Sequence, residues 1–492
     1  MSKTMLWIGF SLEDIEPIPA VLTTFTIAFI PLVVYLSYTP KVVGAPEFTT
    51  DTVPFTGSWS VFTKKIGAVA KSKTGTFSFW LGQNHVVGLS GEAARKMYLK
   101  DRRLHLIKGI TVNGHGPDFI NGLSTVIHDI WKGTGPSGRT YAQRRLLELQ
   151  RSDLLAKRLP KVTRDARTAF EAMTMNESSV INPSKTCFRI IADNPELLHS
   201  LFLYTQILQF TNTLNLLAFP GLSYLGPGYW KRRYGRRGLQ KISEPIVNRR
   251  MAKGAAGGDD ALQYLIDAGD SQDYISTFLT ISGSMLNIVA QHQDWQGKIY
   301  NEIKSSAAIY ATDKTRKLPL FDQLDQLPIE AWEKMSESLE LCYKEAIRMW
   351  VAFPMGRFND TPDAISIPGS NRIIPPGSFA CYNTIDAHYN EKLYANAMKL
   401  DPERWSEGRM ESDQEAYGFM GWGAGRHPCF GMRWAKLQQN IIMAYAVALY
   451  KWTGCDENGN PTAVFKQPTH GLDHLAPKLP QGKHCRFAPR GE

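Results

Sequence analysis

No charge occurs from Pro17 through Pro40, and the run reads Pro-Ile-Pro-Ala-Val-Leu-Thr-Thr-Phe-Thr-Ile-Ala-Phe-Ile-Pro-Leu-Val-Val-Tyr-Leu-Ser-Tyr before Thr39 and Pro40. As a helix those 24 residues span about 36 Å, enough for a bilayer core of about 30 Å. Pro31 is tolerable there as a kink. Glu13, Asp14 and Glu16 lie upstream, while Lys41, Lys64 and Lys65 lie downstream. That asymmetry predicts an anchor over 17–40, with residues 1–16 on the far side and 41–492 on the cytosolic side. A cleaved signal peptide is the rival reading, but its basic region would be Lys3 alone and the apolar run is too long.

Past the anchor the periodicity changes. Phe77-Ser-Phe-Trp-Leu-Gly and His85-Val-Val-Gly-Leu are short strand-like runs joined by a polar turn, and Gly91 to Leu99 reads as a helix. Residues 139–167 are helical and basic, with nine Lys/Arg against Glu148, Asp153 and Asp165. Leu216 to Trp230 is apolar, aromatic and turn-rich, and the stretch from Lys231 to Lys253 carries nine Lys/Arg against Glu244. Apolar anchors beside a basic cluster suit a surface that dips into lipid headgroups. Ala331 to Trp350 reads as one strong helix, Ile373 to Cys381 as a strand after a turn, and Met432 to about Trp452 as a further helix. A Pro- and Gly-rich tail runs from Gly454 to Glu492.

Composition narrows the classes. A hydrophobic content of 43% with twelve tryptophans is ample for a substantial core in a 492-residue chain. The six cysteines form no C-x-x-C pair and none precedes Cys187, which excludes a disulfide-built secreted scaffold. A net charge of +10 fits an acidic partner or an anionic membrane surface. Nucleic acid is the rival partner for the basic clusters, and an upstream bilayer span argues against it.

The chemistry concentrates in Gly421-Trp-Gly-Ala-Gly-Arg-His-Pro-Cys-Phe-Gly431. Gly423, Gly425 and Gly431 allow tight turns and close approach to a bulky group. Pro428 holds the approach extended. Cys429 then meets the start of a helix, whose free N–H groups and dipole favour a thiolate. Glu345-Ala-Ile-Arg348 stands 84 residues before Cys429, and Asp401-Pro-Glu-Arg404-Trp lies between them.

The pattern Trp422-x-x-Gly425-x-His427-x-Cys429-x-Gly431 resembles the haem-binding loop of the cytochrome P-450 family, normally Phe-x-x-Gly-x-Arg-x-Cys-x-Gly. Trp422 replaces the usual Phe, and His427 replaces the usual Arg, as in sterol 14-demethylases. The resemblance spans roughly residues 50–490. It implies a mainly α fold with a small β-region behind one N-terminal transmembrane helix, and places residues 1–16 in the lumen of the endoplasmic reticulum. It also implies haem b held by the Cys429 thiolate as its axial iron ligand, with His427, Arg357 and Arg145 on its propionates. Glu345, Arg348 and Arg404 would lock the loop structurally. The implied activity is monooxygenation of a lipophilic secondary metabolite, terpenoid or sterol. Electrons would come from NADPH through a flavoprotein reductase, with cytochrome b5 as a further partner.

One element departs from the pattern. The oxygen-handling helix should carry Ala/Gly-Gly-x-Asp/Glu-Thr ahead of a stretch that here looks like His292-Gln-Asp-Trp-Gln296. Counting back lands on Ser276-Thr277, with no preceding glycine or adjacent acid. Thr280-Ile-Ser-Gly-Ser284 carries a glycine but lies too close to His292. Thr277 and Ser282 are the candidate proton-delivering hydroxyls. A haem-thiolate isomerase or dehydratase, and a haem-binding relic without turnover, are the alternatives this departure keeps open.

Overall fold

A computed structural model describes residues 42–46, 75–81, 84–110, 147–175, 179–182, 285–350, 354–462 and 484–491, with a few isolated helical positions besides. The 17–40 run, Arg145, Thr277 and Ser282 lie outside the described residues.

In chain order the elements begin with β1 (Phe77–Leu81), β2 (Asn84–Leu89), α1 (Glu92–Lys100), β3 (Leu104–His105) and α2 (Leu106–Ile110). They continue with α3 (Ser152–Glu171), β4 (Val180–Ile181), α4 (Met285–Gln291), α5 (Gln293–Tyr310), α6 (Leu320–Leu324), α7 (Ile329–Glu333) and α8 (Glu337–Trp350). Next come β5 (Pro354–Asn359), β6 (Ile365–Ser366), β7 (Ile373–Ile374), β8 (Phe379–Asn383) and α9 (Ile385–His388). The chain closes with β9 (Gly423–Ala424), β10 (His427–Pro428), α10 (Met432–Leu449), β11 (Tyr450–Cys455) and β12 (His484–Pro489).

The alternation in the two early runs does produce a hairpin, with Phe79 opposite Val86. It becomes one side of a five-stranded sheet ordered β1-β2-β8-β5-β3, in which β2 and β8 run parallel. All five residues of β8 are buried, as expected of a strand flanked on both sides and covered on both faces. A second core forms where the apolar face of α10 meets α3, α4, α5 and α7, around Trp332, Tyr445, Ile441 and Trp452.

Three sequence expectations shift at element boundaries. The stretch 331–350 is two helices, because Lys334 leaves helical geometry (φ −115°). Ser336 Oγ then accepts the Leu339 N–H at 3.0 Å, capping a new start. The C-terminal helix stops at Leu449, where Tyr450, Trp452 and Cys455 turn into strand β11 and pair with β12. The alternation of β11, buried at Tyr450 and Trp452 and exposed at Lys451 and Thr453, is the signal the helical reading overran. The basic stretch breaks at Gln150 and Arg151 before α3 begins.

Candidate functional site: a cysteine turn locked by a buried ion network

Helix α8 presents Glu345 and Arg348 on one face, three residues apart, and both are fully buried. Arg348 donates to both carboxylate oxygens of Glu345, Nε to Oε2 and Nη2 to Oε1, each at 2.8 Å. Arg404, from the Pro402–Trp405 turn, donates Nε to Oε1 at 3.1 Å. The same carboxylate accepts the Asp401 backbone N–H and the Trp405 indole N–H, each at 3.1 Å. Five donors therefore converge on one buried anion. Arg404 Nη1 reaches Glu411, and Arg348 Nη1 reaches the His388 carbonyl. Both guanidinium groups lie over the Tyr394 ring, at 5.0 and 5.8 Å from its centroid. The sequence-predicted trio is thus one network, whose individual charges are costly to orphan.

The network reaches the cysteine turn through His388 and Phe419. His388 Nε2 accepts the Met420 N–H at 3.0 Å, and its ring stacks on Phe419, which in turn packs edge-on against Trp405. Burial, reinforced by the Arg348 charge, pushes the His388 imidazole down to about 3. It is therefore neutral, which its acceptor role requires. Sequence reasoning missed His388, Tyr394, Trp405 and Glu411 as members of this lock. Their spacing in the chain carries no periodic signal; only adjacency to Arg404 hints at Trp405.

From Met420 the chain enters a two-residue hairpin. Pro428 pairs with Gly423 and His427 with Ala424, so Pro428 does hold the approach extended. Gly423 (φ +69°) and Gly425 (φ +64°) take conformations that side chains resist, and a Cβ on Gly425 would sit 2.7 Å from the Leu99 carbonyl. The Cys429 N–H donates to the Trp422 carbonyl at 2.6 Å, closing the hairpin directly under the sulfur-bearing residue. Helix α10 begins three residues later at Met432. Of the five described cysteines, Cys342, Cys381, Cys455 and Cys485 are buried and Cys429 alone is exposed. A Cβ built on Gly431 meets nothing within 4 Å, so the backbone beside the sulfur is open to a large group.

Positive groups collect on one flank. Arg357 is buried, with its guanidinium 4.7 Å over the Tyr98 ring and Nη1 donating to the Tyr98 carbonyl at 2.5 Å. Burial lowers its pKa, and Arg426 pushes the same way. His427 is driven down to about 4 by burial first, then by Arg357, Arg426 and His105. Arg426 and His105 went unremarked in the sequence. Among the described residues, Arg357 Nε and Trp422 Nε1 are buried without a hydrogen-bond partner. Trp422 packs edge-on to Tyr343 at 5.4 Å, and the Tyr343 hydroxyl is raised by burial, by Glu340 and by Cys429.

An exposed sulfur, an open backbone at Gly431, an unsatisfied buried guanidinium N–H and an excess of positive charge fit a flat ligand that carries both a metal and carboxylates. Haem meets that description. Cys429, Trp422, Gly425, Gly431 and His427 share the turn, Arg357 lies near His427, and Glu345, Arg348 and Arg404 form one ion network.

Comparison with known proteins agrees with the geometry. Residues 275–478 match the family model for cytochrome P450. A cytochrome P450 monooxygenase of Pseudocercospora fijiensis is 50% identical over 93% of this chain and 99% of its own length. The monooxygenase AacuE of Aspergillus aculeatus is 47% identical over 94% and 97%, and nsrP of Aspergillus novofumigatus is 41% identical over 93% of each chain. Among solved structures, a retinoic acid-bound cyanobacterial CYP120A1 is similar in fold, with a TM-score of 0.60 and 18% identity over 87% of this chain and 94% of that one.

Proposed function

The chain belongs to the cytochrome P450 family, and from that premise we propose that it is a fungal haem-thiolate monooxygenase acting on a lipophilic small molecule of secondary metabolism. The observation that carries the reading is Cys429, the one exposed cysteine among those described, held at the mouth of α10 by a hairpin and a buried ion lock. The Cys429 sulfur would hold the haem iron, and Arg357 and His427 would hold the propionates. Bound there, haem b would supply dioxygen activation, tuned by a thiolate ligand. The chain's own part is to hold that sulfur in place, to shape a dry pocket and to move protons.

Protons would pass through the hydroxyl of Thr277 or of Ser282, and Arg145 would give the propionates a further cation. Two electrons per turnover would arrive from NADPH through a separate flavoprotein reductase, with cytochrome b5 as an auxiliary donor. The uncharged run at 17–40 supports a single-pass anchor in the endoplasmic reticulum membrane with the catalytic part cytosolic. Such an anchor would bring the substrate entrance to the lipid, where a terpenoid or sterol partitions.

A second reading rests on Ser276-Thr277, which lacks the preceding glycine and neighbouring acid of a proton relay. It makes the protein a haem-thiolate isomerase or dehydratase that rearranges a pre-oxygenated substrate. The two readings part in one assay. A monooxygenase consumes NADPH through a reductase in step with product; an isomerase turns over a peroxide with no NADPH. The haem assignment itself is tested by the reduced, CO-bound spectrum: a red-shifted Soret band is expected, and Cys429→Ala should abolish it. A Cys429→Ala protein with the wild-type spectrum would end the assignment.

A further inference from the structure

The turn ahead of α3 puts Gln150 against the far side of the cysteine turn. Its side chain is buried, and two of its bonds fall one on each side of the α10 start. Nε2 donates to the Phe430 carbonyl, and Oε1 accepts the Trp434 N–H at 3.1 Å. Trp434 lies in the first turn of α10, where backbone N–H groups have no partner within their own helix. Gln150 therefore caps α10 from the turn ahead of α3. Its own carbonyl accepts from Arg433 Nη1 at 2.7 Å, and Arg433 Nη2 also donates to Ser152 Oγ at 2.9 Å. The residue directly after the sulfur and the first turn of the following helix are thus tied to one amide.

We propose that Gln150 is a positioning residue for the Cys429 sulfur, fixing the peptide that follows it and the helix start that faces it. The proposal rests on the haem-thiolate reading above. Groups that orient a metal ligand from behind change affinity by 10–100-fold when removed, and an amide is suited to this place because one bond donates while the other accepts. Leu or Met there would leave the Phe430 carbonyl and the Trp434 N–H both unpaired. Neither bond is visible in the sequence, where Gln150 reads as one more polar residue of a basic helical stretch.

The test compares purified haem-loaded wild type, Gln150→Met and Tyr450→Phe. The last is the control, because the Tyr450 hydroxyl donates to the Phe170 carbonyl at 2.8 Å, at the opposite end of α3. Expected is a several-fold larger fraction of Gln150→Met lacking the red-shifted CO band, with haem content retained. Molecules that keep the sulfur ligand should show a raised reduction potential. Tyr450→Phe should lose thermal stability without either change. Should Gln150→Met not fold, Gln150→Asn, which keeps the amide but falls short by one methylene, should give the same spectral loss. The role is overturned if the glutamine variants match wild type in band fraction and potential, or if Tyr450→Phe shifts both as much. A wild type without the band overturns the function reading and this proposal together; a wild type with the band beside an unaltered Gln150→Met overturns the role of Gln150 alone.

Discussion

Glu345 is the residue on which the most structure depends. Five N–H donors share its two oxygens, and three of them come from two guanidinium groups with no exposed surface. Replacing Glu345 by Gln keeps the size but removes the charge that both arginines face. The expected loss is about 3–5 kcal/mol, the usual cost of orphaning a buried charge, read as a lowered denaturation midpoint. His388 makes a complementary prediction about pH. Its folded pKa of about 3 lies below the ordinary 6.5, so the unfolded chain takes up a proton that the folded chain refuses. Stability from this group is full above about pH 6.5 and falls, as the pH drops toward 3, by about 1.4 kcal/mol per unit. His85, lowered to about 4 by burial, works in the same direction. Unfolding wild type at pH 5 should therefore take up more protons than unfolding His388→Gln, by about one. Equal uptake in both would show that His388 is protonated in the fold.

At the scale of elements, the two glycines that bracket the sulfur should fail differently. Gly425 has positive φ, and an added methyl there would meet the Leu99 carbonyl at 2.7 Å, whereas Gly431 has φ −90° and free space around it. Gly425→Ala should destabilise the chain with or without haem, by about 1–3 kcal/mol. Gly431→Ala should leave the melting of the haem-free chain unchanged yet weaken haem retention roughly 5- to 150-fold, the equivalent of about 1–3 kcal/mol of overpacking. Haem-transfer rates to an acceptor protein check the second, and an unchanged rate would place the macrocycle elsewhere. These glycines were legible in the sequence because a glycine-rich turn around a lone cysteine has few other uses. The Glu345, Arg348 and Arg404 lock was legible as well, through three residues in fixed order. Its supporting members were not: His388 acts through a ring nitrogen on a backbone N–H 32 positions away, and Gln150 through contacts 280 and 284 positions away. Hydrophobic period cannot report such pairs. It also misjudged where α10 ends, since a buried helix followed by a buried strand presents one continuous apolar run until the alternation of β11 begins.

On the scale of the whole molecule, the proposed membrane attachment can be tested through the stretches that would carry it. Among the described residues no helix is long and apolar enough to cross a membrane. The large apolar side chains they expose include Val43, Met410 and, close together in the chain, Ile309, Tyr310 and Leu318. The proposed attachment would rest on two stretches largely outside the described residues, with different physics. The uncharged run 17–40 would hold by burying apolar area, which salt does not weaken. The basic cluster between Lys231 and Lys253 would hold by Coulomb attraction to anionic headgroups, which fades as the screening length drops from about 8 Å at physiological salt to about 3 Å at 1 M. Full-length protein should therefore stay with membranes in 1 M salt, while a chain beginning at residue 41 should be released by the same wash and keep its CO-bound spectrum. Retention of the shortened chain at high salt would move the anchor to the apolar segment between Leu216 and Trp230, and release of the full-length chain would remove the bilayer span altogether.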